Sequence, residues 1–570
     1  MPDAPTPDTT TVVPGDQTSG GLSHRQVLVI LSGLMLGMLL AALDQTIVAT
    51  ALPTIVGDLH GLNHLSWVVT AYLLTTTLST PLYGKISDLY GRKTIFQVAI
   101  VIFLVGSALS GLSANMDQLI VFRAVQGLGG GGLMALAMAI VGDIVSPRER
   151  GRYQGYFGAV FVVASIGGPL AGGFFTDHLT WRWIFYINLP VGILALLITS
   201  AVLRLPRPQP QRGVDLLGAT LVVAAVTPLI LVTVWGGTTY AWSSGTIVGL
   251  VAGSLVMIGA VLWWERRAPQ PIFPPRVFAQ PVVRVAVAMT FFVTASMFAV
   301  IIYLPVYLQL VDGVSATRSG VLLLPLMAGM LTTSIASGRL VTRLGRYRVF
   351  PIVGTALMSV GMWLFTHLGA HTSFAVTSAY MVVFGVGMGM TLQIVVVAVQ
   401  NAVERRDLGS ATSSISFFRN IGAACGTALL GAVLAARLGY WLPRLVPAHS
   451  GLNLSQSFTI TPQALHALPP AVHAGVTESF VRSLHLVFLV GVPLAVVALA
   501  CALGLRELPL RDSLRAVETH QHGAQPRPAP SAPVAVVDPV AERLSDPVGT
   551  TAADPGGQPV AGGGQAAPGG

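Results

Sequence analysis

Two residues, Asp44 and Arg123, stand where ionisable side chains are costly. Val27 through Leu43 is uncharged and almost wholly apolar, and Gln45 through Pro53 continues the run without another charge. About 20 apolar residues at 1.5 Å each cross a bilayer core. Val27–Gly57 therefore reads as a membrane helix carrying one acid. A charge at the centre of such a helix costs about 2.5–3.5 kcal/mol. That cost is tolerated where the acid faces a cavity, meets a cation or takes up a proton. Arg123 lies near the start of a second apolar run at 118–142. A neighbouring guanidinium favours the ionised carboxylate, whereas loss of water favours the protonated form. The pair is thus a candidate proton-coupling site. Plainer roles stand beside that one: a solvated surface acid, a fixed structural ion pair, or an Arg123 that snorkels to the surface.

Three further groups of residues could do work in a membrane. Gly84-Lys85-Ile86-Ser87-Asp88-Leu89-Tyr90-Gly91-Arg92-Lys93 combines turn glycines with opposite charges and suits a gating loop. Gly167-Gly168-Pro169-Leu170-Ala171-Gly172-Gly173 lies inside an apolar run. Pro169 removes a helix hydrogen bond, and Gly168 and Gly172 share a face on which helices can approach closely. Arg419, Gln309 and Gln393 are polar residues within later apolar runs and are candidate cavity residues, Arg419 alternatively a cap for free carbonyls. Gly127 to Gly132 lacks the Lys-Ser/Thr of a phosphate loop, so nucleotide binding is not expected.

The elements that must position these residues are helices. Only 10% of the 570 residues are charged, against about 25% in soluble proteins, and the mean hydropathy is +0.71. This is the composition of an all-α polytopic membrane protein. Fourteen spans are expected, at about 27–50, 64–83, 94–113, 118–142, 153–175, 184–203, 215–235, 245–264, 285–308, 319–338, 349–368, 373–397, 410–436 and 484–505. The net charge of +9 suits a positive cytoplasmic face better than a nucleic-acid partner. Basic residues crowd alternate loops (Lys85/Arg92/Lys93, Arg148/Arg150/Arg152, Arg339/Arg343/Arg346/Arg348), which places both termini in the cytoplasm. With that orientation Asp44 lies about 25 Å from the inner face and Arg123 about 7 Å from the outer one. In a core about 30 Å thick the two depths nearly coincide. Cys425 and Cys501 sit in apolar runs, and no disulfide or metal site is expected.

Gly338-Arg339-Leu340-Val341-Thr342-Arg343-Leu344-Gly345-Arg346-Tyr347 is a degenerate copy of the 84–93 segment, with Thr342 in place of Asp88. Each follows the second helix of its half, which implies a parallel repeat about an axis along the membrane normal. The expected division is a 1–24 tail, a six-helix bundle at 25–205, two inserted helices at 206–268, a second bundle at 269–510 with an outer loop at about 437–482, and a disordered tail at 511–570.

Gly84 to Lys93 resembles the signature loop G-x-L-x-D-R-x-G-R-K of the major facilitator superfamily, with Leu89 replacing its basic residue. Arg123-Ala124-Val125-Gln126-Gly127-Leu128-Gly129 resembles the fourth-helix motif R-x-x-Q-G-x-G, and Gly167–Gly173 the fifth-helix antiporter motif. Trp181-Arg182-Trp183-Ile184-Phe185-Tyr186-Ile187-Asn188-Leu189-Pro190 resembles the start of the sixth helix. Together they are similar to the 14-helix drug/proton antiporters of the EmrB/QacA type. The resemblance implies a major facilitator fold of two six-helix bundles and a proton-driven exporter of hydrophobic drugs or antibiotics. It implies Asp44 and Arg123 in proton coupling, Gly84, Asp88, Gly91, Arg92 and Lys93 in the gate, Gln126, Gly127 and Gly129 in the fourth-helix motif, and the 167–173 bend in antiport. Expected partners are protons, small hydrophobic drugs and the lipid bilayer, with no nucleic acid. No cofactor is expected, and the protein is expected to act as a monomer in a bacterial inner membrane. Uptake or metabolite exchange on the same scaffold is the alternative.

Overall fold

A computed structural model describes residues 24–59, 65–145, 147–203, 215–237, 239–314, 316–446 and 468–510. Among them there are helices and turns and no strand. In chain order the helices are α1 His24–Leu59, α2 Leu65–Tyr90, α3 Arg92–Leu112, α4 Met116–Ile144, α5 Pro147–His178, α6 Trp183–Tyr186, α7 Asn188–Val202, α8 Leu216–Trp235, α9 Gly245–Glu265, α10 Pro275–Ala279, α11 Pro281–Leu310, α12 Ala316–Leu322, α13 Leu324–Leu344, α14 Val349–Phe365, α15 Phe374–Ala402, α16 Leu408–Leu445 and α17 Pro470–Leu503. Twelve of the expected spans fall on one helix each, while 184–203 is divided between α6 and α7 and 319–338 between α12 and α13. Among the described residues, eleven stretches are long and apolar enough to cross a bilayer. The three expected spans outside that set are α2, α13 and α14. α14 has only 17 residues. α2 and α13 are diluted by hydroxyls turned inward: Thr70, Thr76, Thr77, Ser79, Thr80, Ser334 and Ser337 are all buried. Both expected tails lie outside the described residues.

Helix pairing repeats between the halves. α1 packs on α5 and α7, α2 on α4, and α3 on α4 and α7; in the second half α11 packs on α16 and α17, α13 on α15, and α14 on α15 and α17. The halves meet through the same positions exchanged, α2 against α16 and α5 against α13. Glycine permits both crossings. A Cβ on Gly84 would overlap Ser413 of α16, and one on Gly338 would overlap the Gly151 carbonyl of α5. α8 and α9 pack mainly on each other, with α8 also touching α2 and α16. Only 11% of the α9 window is buried, against 78% for α4, so α9 is peripheral.

Two expected loops are mostly helix. The 84–93 segment continues α2 to Tyr90 and turns at a single residue, Gly91, whose φ of 98° a side chain would strain. Its copy turns at Gly345 with φ 68°. At the 437–482 loop, α16 runs on to Leu445 and α17 begins at Pro470. Arg437, Arg444 and Arg482 are therefore helical residues, and only 447–467 is left outside the described residues.

Candidate functional site

Asp44 is 0% and Arg123 1% exposed. Water does not solvate these charges, so the protein must. Arg123 Nη1 donates to Asp44 Oδ2 at 2.6 Å and to Gln126 Oε1 at 2.7 Å. Gln126 Nε2 donates to Asp44 Oδ1 at 2.8 Å, so both carboxylate oxygens are held from α4. Arg123 Nε donates to the Val68 carbonyl of α2 at 3.3 Å, and its guanidinium lies 4.3 Å over the Tyr72 ring. Behind Gln126, Ser107 Oγ of α3 accepts from Gln126 Nε2 at 3.1 Å and from Asn188 Nδ2 of α7 at 3.0 Å. Five helices thus converge on one carboxylate.

α4 can reach it because of its glycines. Gly127, Gly129, Gly130, Gly131 and Gly132 each cost about 0.8–1.0 kcal/mol of helix propensity. In return the neighbours come close: a Cβ on Gly127 would overlap Thr75 of α2, and one on Gly129 would overlap the backbone of Phe103 on α3. A cavity of about 320 Å³ adjoins the network, lined in part by Gln45, Tyr72, Thr76 and Arg123 and, across the halves, by Asn420 and Thr427. Arg123 borders this cavity, whereas Asp44 stands behind it. The expected pairing at equal depth is present; an acid facing the cavity directly is not. The arrangement joins the cavity, through Arg123, to a buried carboxylate whose counter-charge is that same arginine. If Asp44 took a proton, Arg123 would be left a buried, unpaired cation, a state that costs about 3–5 kcal/mol unless the helices move.

The halves are latched at the Arg-rich end. Asp88 Oδ1 accepts from Arg92 Nη2 at 2.9 Å and from the Gly409 amide at 3.1 Å. Its Oδ2 accepts from the Ser410 amide at 2.9 Å and from Ser410 Oγ at 3.0 Å. Gly409 and Ser410 open α16, whose unpaired N–H groups and dipole favour a carboxylate there. Arg92 also pairs with Asp143 Oδ2 at 2.8 Å, and Arg405 of the second half lies 3.8 Å from Asp143. Of the expected gate residues, Lys93 takes no part in the latch: its Nζ donates to the Ser200 carbonyl, within the first half. Residues read from the sequence only as topogenic or not singled out do bridge the halves. Arg150 donates to the Gln400 carbonyl at 3.0 Å, and Gln400 Nε2 to the Met138 carbonyl at 3.0 Å. The cluster Arg148/Arg150/Arg152 was the only signal for this.

On α5, a Cβ on Gly168 would overlap Thr46, two residues past Asp44, and Thr46 Oγ1 donates to the Ala164 carbonyl at 2.8 Å. Gly172 is also buried, while Gly167 and Gly173 have open space beside them. α5 is helical through Pro169, whose side chain lies outside the described residues. The three candidate cavity residues do not border the Arg123 cavity. Gln309 Nε2 donates to Ser319 Oγ at 3.0 Å and ties α11 to α12. Gln393 is buried in α15 with its Oε1 unpartnered. Arg419 reaches only Met134 Sδ of α4, at 3.7 Å, with no carboxylate in ion-pair range among the described residues. Sequence reading also missed Asn188, although it belongs to the Trp181–Pro190 motif, and Tyr72, which no motif marks. Glu265, just beyond an expected span and not singled out from the sequence, is 5% exposed.

The Major Facilitator Superfamily profile matches residues 34–427. The chain is 43% identical over 509 residues, 89% of its length and 74% of the relative's, to an uncharacterized MFS-type transporter of Mycobacterium tuberculosis (strain ATCC 25618 / H37Rv). It is 37% identical to the multidrug transporter protein MdtP of Bacillus subtilis (strain 168), covering 86% of this chain and 95% of that one. Among solved structures, the proton:xylose symporter XylE matches with TM-score 0.59 at 14% identity, over 87% of this chain and 99% of that one. The human organic anion transporter MFSD10 matches with TM-score 0.55 at 15% identity, over 82% and 99%. Repeated helix pairing, glycine-mediated crossings between the halves and these matches agree, and the chain belongs to the major facilitator superfamily of membrane transporters.

Proposed function

We propose that this transporter exports hydrophobic small molecules in exchange for protons, by alternating access between two six-helix bundles. The carrying observation is the buried Asp44–Arg123–Gln126 network at the wall of a cavity that both halves line. Relatives named as multidrug transporters or efflux pumps support the export reading. In this reading all fourteen spans cross the inner membrane, both termini and the Arg-rich end are cytoplasmic, and the monomer is the working unit. The state described here is latched at its Arg-rich end, which in this reading closes the cytoplasmic side. Proton uptake by Asp44 frees Arg123, weakens the hold of α4 on α1 and favours repacking; proton release restores the pair. The glycine face of α5 packs beside this switch at Thr46, where it can feel the movement.

The test uses the purified protein in liposomes, an imposed pH gradient and a lipophilic dye. Wild type should move dye against its gradient, and the movement should collapse when the pH gradient is dissipated. Asp44→Asn should lose gradient-driven transport while inserting normally. Active transport retained by Asp44→Asn would sink the assignment, and dye carried along with protons would indicate uptake.

A further inference from the structure

α9 is largely exposed, and Ile247, Ser254 and Glu265 are its buried residues. Ser254 is explained: its Oγ donates to the Ala225 carbonyl at 2.7 Å and pins α9 to α8. Glu265 is half explained. Its Oε2 accepts from the Phe273 amide at 3.1 Å, but its buried Oε1 has no hydrogen-bond partner among the described residues. Burying a carboxylate oxygen without a donor is costly. Glu265 and its neighbour Arg266 are the charged residues lining a cavity of about 580 Å³ whose other walls are apolar, including Val226, Leu229, Phe278, Phe291 and Phe418. That volume is in the range of drug-sized sites, and a few orienting polar groups in an apolar pocket are how such sites confer specificity; the free oxygen of Glu265 is the acceptor on offer. Ile258 and Leu262 line it too and are 36% and 56% exposed, so the cavity opens through the outer flank of α9. It also adjoins the Arg123 cavity along two helices: Leu229 and Ile421 line this cavity, and Ile230 and Asn420 line the other.

We propose that the cavity enclosed by α8, α9, α10, α11 and α16 is an intake site for amphiphiles bearing a single ammonium group. The apolar body lies among the phenylalanines, the ammonium donates to Glu265 Oε1, and the molecule passes along α8 and α16 to the Arg123 cavity. The intake role rests on the export reading, but the site itself does not. The same head-group chemistry is found in an exported amine and in an aminolipid, so both sources must be tested.

The experiment measures equilibrium binding, without any gradient, to the full chain in nanodiscs of phosphatidylcholine with or without phosphatidylethanolamine. The probes are a dansyl-tagged primary alkylamine, a monocation bearing one ammonium, and Nile red, which is neutral. Glu265→Gln should weaken binding of the ammonium dye about tenfold or more, as expected when a charge-assisted hydrogen bond becomes a neutral one, and leave Nile red unchanged. Ile258→Trp, at the exposed mouth where folding is not at risk, should weaken both. Dye affinities that ignore both variants overturn the proposal. Phosphatidylethanolamine retained by wild type but not by Glu265→Gln, with dye affinity unmoved, would assign the cavity to a lipid and overturn the intake role. Intact Glu265-dependent binding in a protein that shows no proton-driven export would leave this site standing and sink the export reading.

Discussion

Removing Asp44 from water makes each of its partners obligatory. The Val68 carbonyl of α2 and both ends of the Gln126 amide of α4 hold the Asp44–Arg123 pair, with Ser107 of α3 behind Gln126. Breaking a buried ion pair from one side costs about 3–5 kcal/mol, whereas neutralising both sides is often far cheaper. Arg123→Ala should therefore lower the thermal stability of the detergent-solubilised protein strongly. Asp44→Asn combined with Arg123→Ala should recover most of that loss without recovering transport. A double variant as unstable as Arg123→Ala alone would show that Arg123 matters for packing on Tyr72 rather than for charge. Gln126→Leu should also impair transport. It removes the donor to Asp44 Oδ1 and the link to Ser107 while keeping an apolar side chain of similar size.

Two helix pairs, α2–α16 and α5–α13, carry most of the contact between the halves, and each closes on a glycine. Gly84→Val should hold α2 away from α16 and open the Arg-rich end. A cysteine introduced at the buried Thr412, in a background lacking Cys425 and Cys501, should then react several-fold faster with an impermeant thiol reagent. Unchanged labelling would show that the crossing yields without opening. Asp88 belongs to the same element but to a different step. Its carboxylate takes three bonds from the start of α16, and bonds to charged groups contribute about 1.5–3 kcal/mol each. Asp88→Ala should lower kcat about tenfold or more with little change in KM, since the latch is remote from the cavity. A raised KM with unchanged kcat would remove Asp88 from the gate.

Taken as a whole molecule, the Arg123 cavity is lined by one arginine and no acid, and Glu265 is the single carboxylate lining the neighbouring cavity. Arg123 shields Asp44 from the cavity, and Arg419 stands in α16 without an acidic partner among the described residues. Two unit charges 4 Å apart interact by about 4 kcal/mol at an effective dielectric of about 20. Beyond Glu265, a second cationic centre on a substrate would meet Arg123 in its cavity rather than a carboxylate. Monocationic and neutral dyes should be exported far better than bis-cationic dyes of similar size. Equal efflux of a matched pair from energised vesicles would show that the arginines do not line the route.

Much of this protein is written in one dimension. Apolar run length, the low charge fraction and the alternation of basic loops depend only on how residues partition between water and lipid, and they suffice for helices, repeat and class. The motifs Asp44, Arg123, Gln126 and Gly84–Arg92 were legible because each is local and of unusual composition for its setting. Tertiary structure decided what these residues touch. It put Arg123 between Asp44 and the cavity, sent Lys93 to its own half, and turned a ten-residue loop into one glycine. It brought in Arg150, Gln400, Asn188 and Tyr72, whose partners lie on other helices tens or hundreds of positions away. It also buried Glu265, which in the sequence only precedes two arginines just past an expected span. Hydropathy records how deep a residue lies, but which side of its helix meets another helix is set only when the bundle packs.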